Sequence, residues 1–310
     1  MGTTNSLAPS WMFLSRAAAG LASALLADAF SAPALGQLAL PGAVAPTPEG
    51  TVTSPSPKPK KKLSSGEMGQ ARGPAVMPKA PSEDTIVGKT LKLDGAGSEI
   101  EFSKNGTGLD VVKLTMSGDR LKRSGEECRV DVAGMPLKLT PREGGSGLRR
   151  YQLASFPACP FTLDVLDGAV LVTNEGKACE IKEADCRADP SGLWGMAETE
   201  FDPKKAEEML GARAKVEKSV RADFRELYER NKKDKLVRGF VVKEQAGFSS
   251  WREEVCRSYA KESDYGYCAL RLTEARAIAL GAQLASGVKL PEGYAEAAAA
   301  EEAAMKAKKR

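Results

Sequence analysis

The side chains of this sequence best suited to chemistry are six cysteines, Cys128, Cys159, Cys179, Cys186, Cys256 and Cys268. Thiols serve as metal ligands, as redox centres or as halves of structural disulfides. No histidine accompanies them. That removes Ser-His-Asp and Cys-His nucleophile pairs and every zinc site built on imidazole. None of the six falls in a Cys-x-x-Cys pair, the spacing that zinc ligation and thioredoxin-like chemistry usually use. An even number at wide spacing suits disulfides in an oxidising compartment. No metal site and no cofactor is expected. An enzyme lacking histidine would need paired carboxylates or a Ser-Lys dyad, and no spacing recommends either, so the chain reads as non-enzymatic.

An oxidising compartment requires export. Residues 17–27, AAAGLASALLA, form a short apolar run behind Arg16, and small residues follow in SAPALGQ (31–37). This is the pattern of a secretory signal over 1–36 with cleavage before Gln37. The run is too short for a permanent membrane span. The expected location is the periplasm or the outside of the cell. Residues 37–83 are rich in Pro, Ala, Ser and Lys, a composition that buries too little apolar surface to offset ordering. They read as a disordered linker. Lys58, Lys60, Lys61 and Lys62 would suit contact with anionic lipid or a wall polymer, although a solvated linker is favoured. The net charge of +4 is too mild and dispersed to argue for nucleic acid.

The elements that must position the cysteines begin near residue 84. Short, partly alternating runs with glycine-containing breaks predict antiparallel strands over 84–186. FTLDVLDGAVLVTN (161–174) is the clearest, with Asp167-Gly168 as a type I′ hairpin signal. The fold class is α+β in two domains: a small antiparallel β-sandwich or barrel, then an all-α domain over 187–288 stapled by a disulfide. Within the β domain the favoured pairings are Cys128 with Cys159 and Cys179 with Cys186, other connectivities remaining open.

Asp202-Pro203 suits a helix start. Val216, Val220, Phe224 and Leu227 recur as one apolar stripe of a helix reaching about Asn231. A second helix is expected over 234–246 with Leu236, Phe240 and Val241 inward. Ser250 and Glu253 form a capping-box pattern that restarts a helix before Cys256. A last helix is expected from about Tyr267 to Ser286 with Leu272, Ala275 and Ala279 inward. The Ala/Glu/Lys-rich tail 289–310 favours helix but has little to pack against. Cys256 and Cys268 then lie on consecutive helices across a short polar break. A disulfide between them closes about a dozen residues, worth roughly 3 kcal/mol in the loop-entropy model.

Phe248-x-x-x-Arg252-Glu253-x-x-Cys256, then Cys268-x-x-x-Leu272-Thr273-x-x-Arg276-x-x-x-Leu280, resembles the second half of the LprI-type lysozyme-inhibitor N-terminal domain. Ala222-Asp223 and Leu227-Tyr228 are similar to that family's earlier helix. The resemblance covers residues 205–286. The chain departs from the pattern in carrying Glu253 where the family usually has Asp, and in lacking the family's first cysteine pair, near which only Cys186 lies. The resemblance implies an exported, non-enzymatic, cell-envelope binding module, with inhibition of a lysozyme-like or other envelope protein as its specific form. The alternative is an envelope structural protein that touches wall or membrane through its Lys/Pro linker. Phe248, Trp251, Arg252, Glu253, Thr273 and Arg276 are the candidates for partner contacts or for structural roles. For Arg252 and Arg276, pairing with a carboxylate or carbonyl is favoured. For Phe248 and Trp251, a core position is favoured over a sugar-stacking platform.

Overall fold

The computed structural model describes residues 79–308, apart from 107, 133–135, 145 and 175–177. The expected signal (1–36) and the linker up to residue 78 lie outside the described residues. The strands are β1 (Thr90–Leu93), β2 (Glu99–Asn105), β3 (Gly108–Arg120), β4 (Glu127–Asp131), β5 (Leu137–Arg142), β6 (Arg150–Leu153), β7 (Phe161–Leu166), β8 (Ala169–Thr173), β9 (Cys179–Ile181), β10 (Cys186–Ala188) and β11 (Gly192–Gly195). Eight of them close into an antiparallel barrel in the order β1-β11-β8-β7-β6-β5-β3-β2, with β2 returning to β1. Closure removes the free edges that a small open sheet would expose. The expected sandwich or barrel is a barrel. Its closing strand, β11, lies beyond residue 186 and wedges between β1 and β8.

Two apolar layers follow from the two-residue period of the strands. Along β8, Val170 and Val172 point into the barrel with Leu163, Val165 and Trp194. Ala169 and Leu171 point out, beside Leu166 and Leu193, onto the helices. Both faces of β8 are buried, which is why 161–173 reads as a nearly continuous apolar run. The Trp194 indole N–H donates to the Pro190 carbonyl at 2.8 Å, so the ring fills the barrel without an orphaned donor. Asp164 faces outward from β7 yet is buried, and Arg150, its register partner on β6, grips it with two bonds of 2.7 Å. At the β7–β8 turn only Gly168 has positive φ. A type I′ turn needs positive φ at both central residues, so the turn is of another type.

The second half of β3 leaves the barrel and pairs with β4 on one side and β10 on the other. This arrangement decides the disulfides. Gly118 faces Cys128, and Arg120 faces Cys186. The backbone of Arg187 crosses so close that a Cβ at Gly118 would lie 2.0 Å from its carbonyl oxygen. Cys128 therefore bonds Cys186, and Cys159 bonds Cys179, in place of the pairings favoured from the sequence. Cys256 bonds Cys268 as expected.

The helices are α1 (Ala206–Arg230), α2 (Lys235–Cys256), α3 (Glu262–Tyr265), α4 (Tyr267–Ser286) and α5 (Tyr294–Lys308). Asp202 accepts from the Lys204 N–H and leads through a short 3-10 turn into α1. The Asp234 carboxylate caps α2 through the N–H groups of Leu236 and Val237. The expected restart at Ser250 does not occur: α2 runs unbroken through it, and both Ser250 and Glu253 are exposed on its surface. Val220, Leu227, Val241, Ala277 and Leu280 form the core joining α1, α2 and α4. Val237 rather than Leu236 packs against it. Further along α2 and α4, Cys256, Leu272 and Ile278 join Leu166, Leu171 and Leu193 in a second core, shared by barrel and helices. α5 buries none of its residues and touches α2 through ion pairs from Lys243 to Glu301 and Lys235 to Glu302. Among the described residues no helix is long and apolar enough to cross a membrane.

Candidate functional site

The Cys256–Cys268 disulfide joins the last residue of α2 to the first turn of α4, with Cα atoms 5.5 Å apart. The intervening chain makes a tight double reversal. Lys261 and Gly266 both adopt left-handed backbone, on either side of the single turn α3. Gly266 has no side chain to cap α4, and Glu262 does so instead. Its two carboxylate oxygens accept from the Cys268 and Ala269 N–H groups at 2.8 and 3.1 Å. Burial pushes the Glu262 carboxyl above its ordinary value against these bonds and the nearby arginines. The reversal is also tied to the barrel. Ala260 donates its N–H to the Asp94 carbonyl at 2.8 Å, and the Ser258 hydroxyl donates to the Asp94 carboxylate at 2.7 Å. The Tyr259 hydroxyl donates to the Met196 carbonyl and that of Tyr267 to the Gly168 carbonyl. Burial raises both phenols.

The motif residues on α2 and α4 meet in one network. Phe248 lies between two guanidinium groups, with Arg252 at 5.6 Å and Arg276 at 5.7 Å from its ring centre. Arg252 donates to the Thr273 hydroxyl at 2.9 Å and to Glu217 of α1 at 3.2 Å. Thr273 in turn donates to the Ala269 carbonyl one turn back. Arg276 donates to Gln245 at 3.1 Å and pairs with Glu244 at 3.4 Å. It is 7% exposed, one of its nitrogens has no partner, and burial pulls its pKa below the ordinary arginine value. Phe248, Arg252, Thr273 and Arg276 thus brace three helices. Trp251 departs from the expected core position: it is 39% exposed, at the edge of this network. Glu253 is exposed and makes no contact within this network.

Above the disulfide lies a cavity of about 310 Å³ whose lining includes Arg213 of α1, Arg252, Glu253 and Arg257 at the end of α2, and Glu262 and Ser263 of α3. Glu217 holds Arg213 at 3.0 Å and Arg252 at 3.2 Å, so one carboxylate orients two arginines on the cavity wall. The residues missed from the sequence are Arg213, Glu217, Arg257 and Glu262. Arg213 and Glu217 stand at i,i+4 on α1, a spacing that signals a pair. Nothing local in the sequence points Glu217 toward Arg252 across two helices.

Arg271 donates to Asp167 at 3.0 Å and to Glu274 at 2.7 Å, tying the β7–β8 turn to α4. Among the described residues no group of three or more His, Cys, Asp or Glu side chains is placed to hold a metal ion. No family model, curated protein or solved structure matches the chain.

Proposed function

We propose that this chain is an exported, non-enzymatic binding module of the cell envelope whose helical part engages a protein partner, with a lysozyme-like enzyme as the first candidate. The observation that carries the reading is that every described cysteine is in a disulfide and none is free. Three closed pairs in one compact unit suit a protein kept outside the reducing cytosol. The braced motif of Phe248, Arg252, Thr273 and Arg276 supports a rigid scaffold rather than a moving catalytic centre. The resemblance around residues 248–280 nominates the partner. Titration of the purified mature chain into a lysozyme assay tests the reading. Dose-dependent inhibition that is lost when Cys256 and Cys268 are replaced is the expected result. No inhibition at high micromolar protein would sink the inhibitor form.

A further inference from the structure

The cavity over the Cys256–Cys268 disulfide presents more arginine donors than the fold consumes. Arg213 commits only its Nε, to Glu217, and Arg252 only one Nη, to Glu217 and Thr273. Neither has a fully buried nitrogen lacking a partner, and their side chains are 32% and 15% exposed, so their remaining N–H groups keep contact with solvent. Arg257 is exposed and pairs with no carboxylate among the described residues. Opposite charge is present too. Glu262 is committed to capping α4, whereas Glu253 has no cation within ion-pair distance among the described residues. The cavity therefore offers open guanidinium edges and one uncommitted carboxylate.

We infer that this cavity binds the C-terminal carboxylate of a short peptide. The planar guanidinium fork matches a carboxylate with two parallel N–H···O bonds. Arg257, with the open edges of Arg213 and Arg252, takes the carboxylate, and Glu253 accepts from the peptide's adjacent N–H or ammonium. A phosphate dianion suits the cavity less, because Glu253 and Glu262 on the lining repel its second charge. A volume of about 310 Å³ is at the small end of ligand pockets and admits one or two residues. The inference stands apart from the lysozyme reading, since a chain that inhibits no lysozyme could still hold a peptide end here.

Calorimetric titration of the full chain at low salt, using alanyl-alanine, its C-terminal amide and inorganic phosphate as separate probes, tests it. Alanyl-alanine should bind in the millimolar range or tighter, and the amide at least about tenfold more weakly. Arg257→Ala should weaken alanyl-alanine by about tenfold while leaving the urea midpoint unchanged, since the side chain is exposed and unpaired. Glu253→Gln should weaken alanyl-alanine by a few fold. Equal binding of the dipeptide and its amide would overturn the inference. So would tighter binding of phosphate than of dipeptide, or no heat from alanyl-alanine up to about 10 millimolar.

Discussion

Replacing Cys128 and Cys186 together by alanine removes a crosslink that closes 58 residues. The Cys159–Cys179 bridge lies inside that loop and closes 20 residues of it. With the inner bridge intact, the outer one constrains an effective loop of about 38 residues, worth about 4 kcal/mol in the loop-entropy model. The Cys256–Cys268 bridge closes 12 residues, worth about 3 kcal/mol. For a folded unit of this size each kilocalorie corresponds to roughly 2–4 °C in Tm, so the outer bridge should cost roughly 8–16 °C. Urea denaturation followed by circular dichroism should rank the double variants in this order. Single substitutions separate the nested pairing from the sequence-favoured alternative. Cys159→Ala should expose one alkylatable thiol, at Cys179. A free thiol at Cys128 in that variant would refute the pairing and the β3 geometry behind it.

Gly118→Ala should destabilise by about 2 kcal/mol or more, because the new methyl meets the rigid Arg187 carbonyl; thermal melts check it. Leu193→Ala should cost about 3 kcal/mol and keep one unfolding transition, since Leu193 belongs to the core shared by barrel and helices; two separate transitions would contradict that core. Asp164→Ala should cost about 2 kcal/mol by leaving Arg150 without its two-bonded partner. Burial raises the carboxyls of Asp94, Asp223, Glu262 and Glu274. The native state thus holds these protons more tightly than the unfolded chain. Their contribution to stability is full below the ordinary carboxylate range, near pH 4, and is lost as pH rises through the raised native values. The carboxyls of Glu83 and Glu99, lowered against burial by their hydrogen bonds to Tyr151 and Lys113, act in the opposite sense. Asp223→Asn should remove one declining contribution and so make the slope of the urea midpoint against pH above about 4 more positive than in the parent; an unchanged slope would remove Asp223 from that account.

Legibility in the sequence followed range. The arms of FTLDVLDGAVLVTN declared themselves because both faces of β8 are apolar. α4 was readable from Tyr267 to Ser286 because its start and stop are local. β11 was not: four residues, GLWG, carry too short a pattern, and only pairing with β1 and β8 makes them a strand. The Ser250–Glu253 pattern misled because a capping box acts only where the chain enters a helix, and here the helix had already begun at Lys235. Disulfide partners depended on β4 and β10 flanking the same end of β3, information held in no local spacing. Phe248, Arg252, Thr273 and Arg276 were visible as candidates from their spacing on each helix. That Arg252 reaches Thr273 and Glu217 together is a property of how three helices pack. Trp251 shows the same limit, since an aromatic residue one turn from Phe248 faces water instead of the core.

The most direct test of the account is disulfide mapping of the protein recovered, without reduction, from the cells that make it. The account predicts three linked pairs, Cys128 with Cys186, Cys159 with Cys179 and Cys256 with Cys268, and no free thiol. Free cysteines in the recovered protein would contradict the exported, disulfide-closed module on which the proposed function rests.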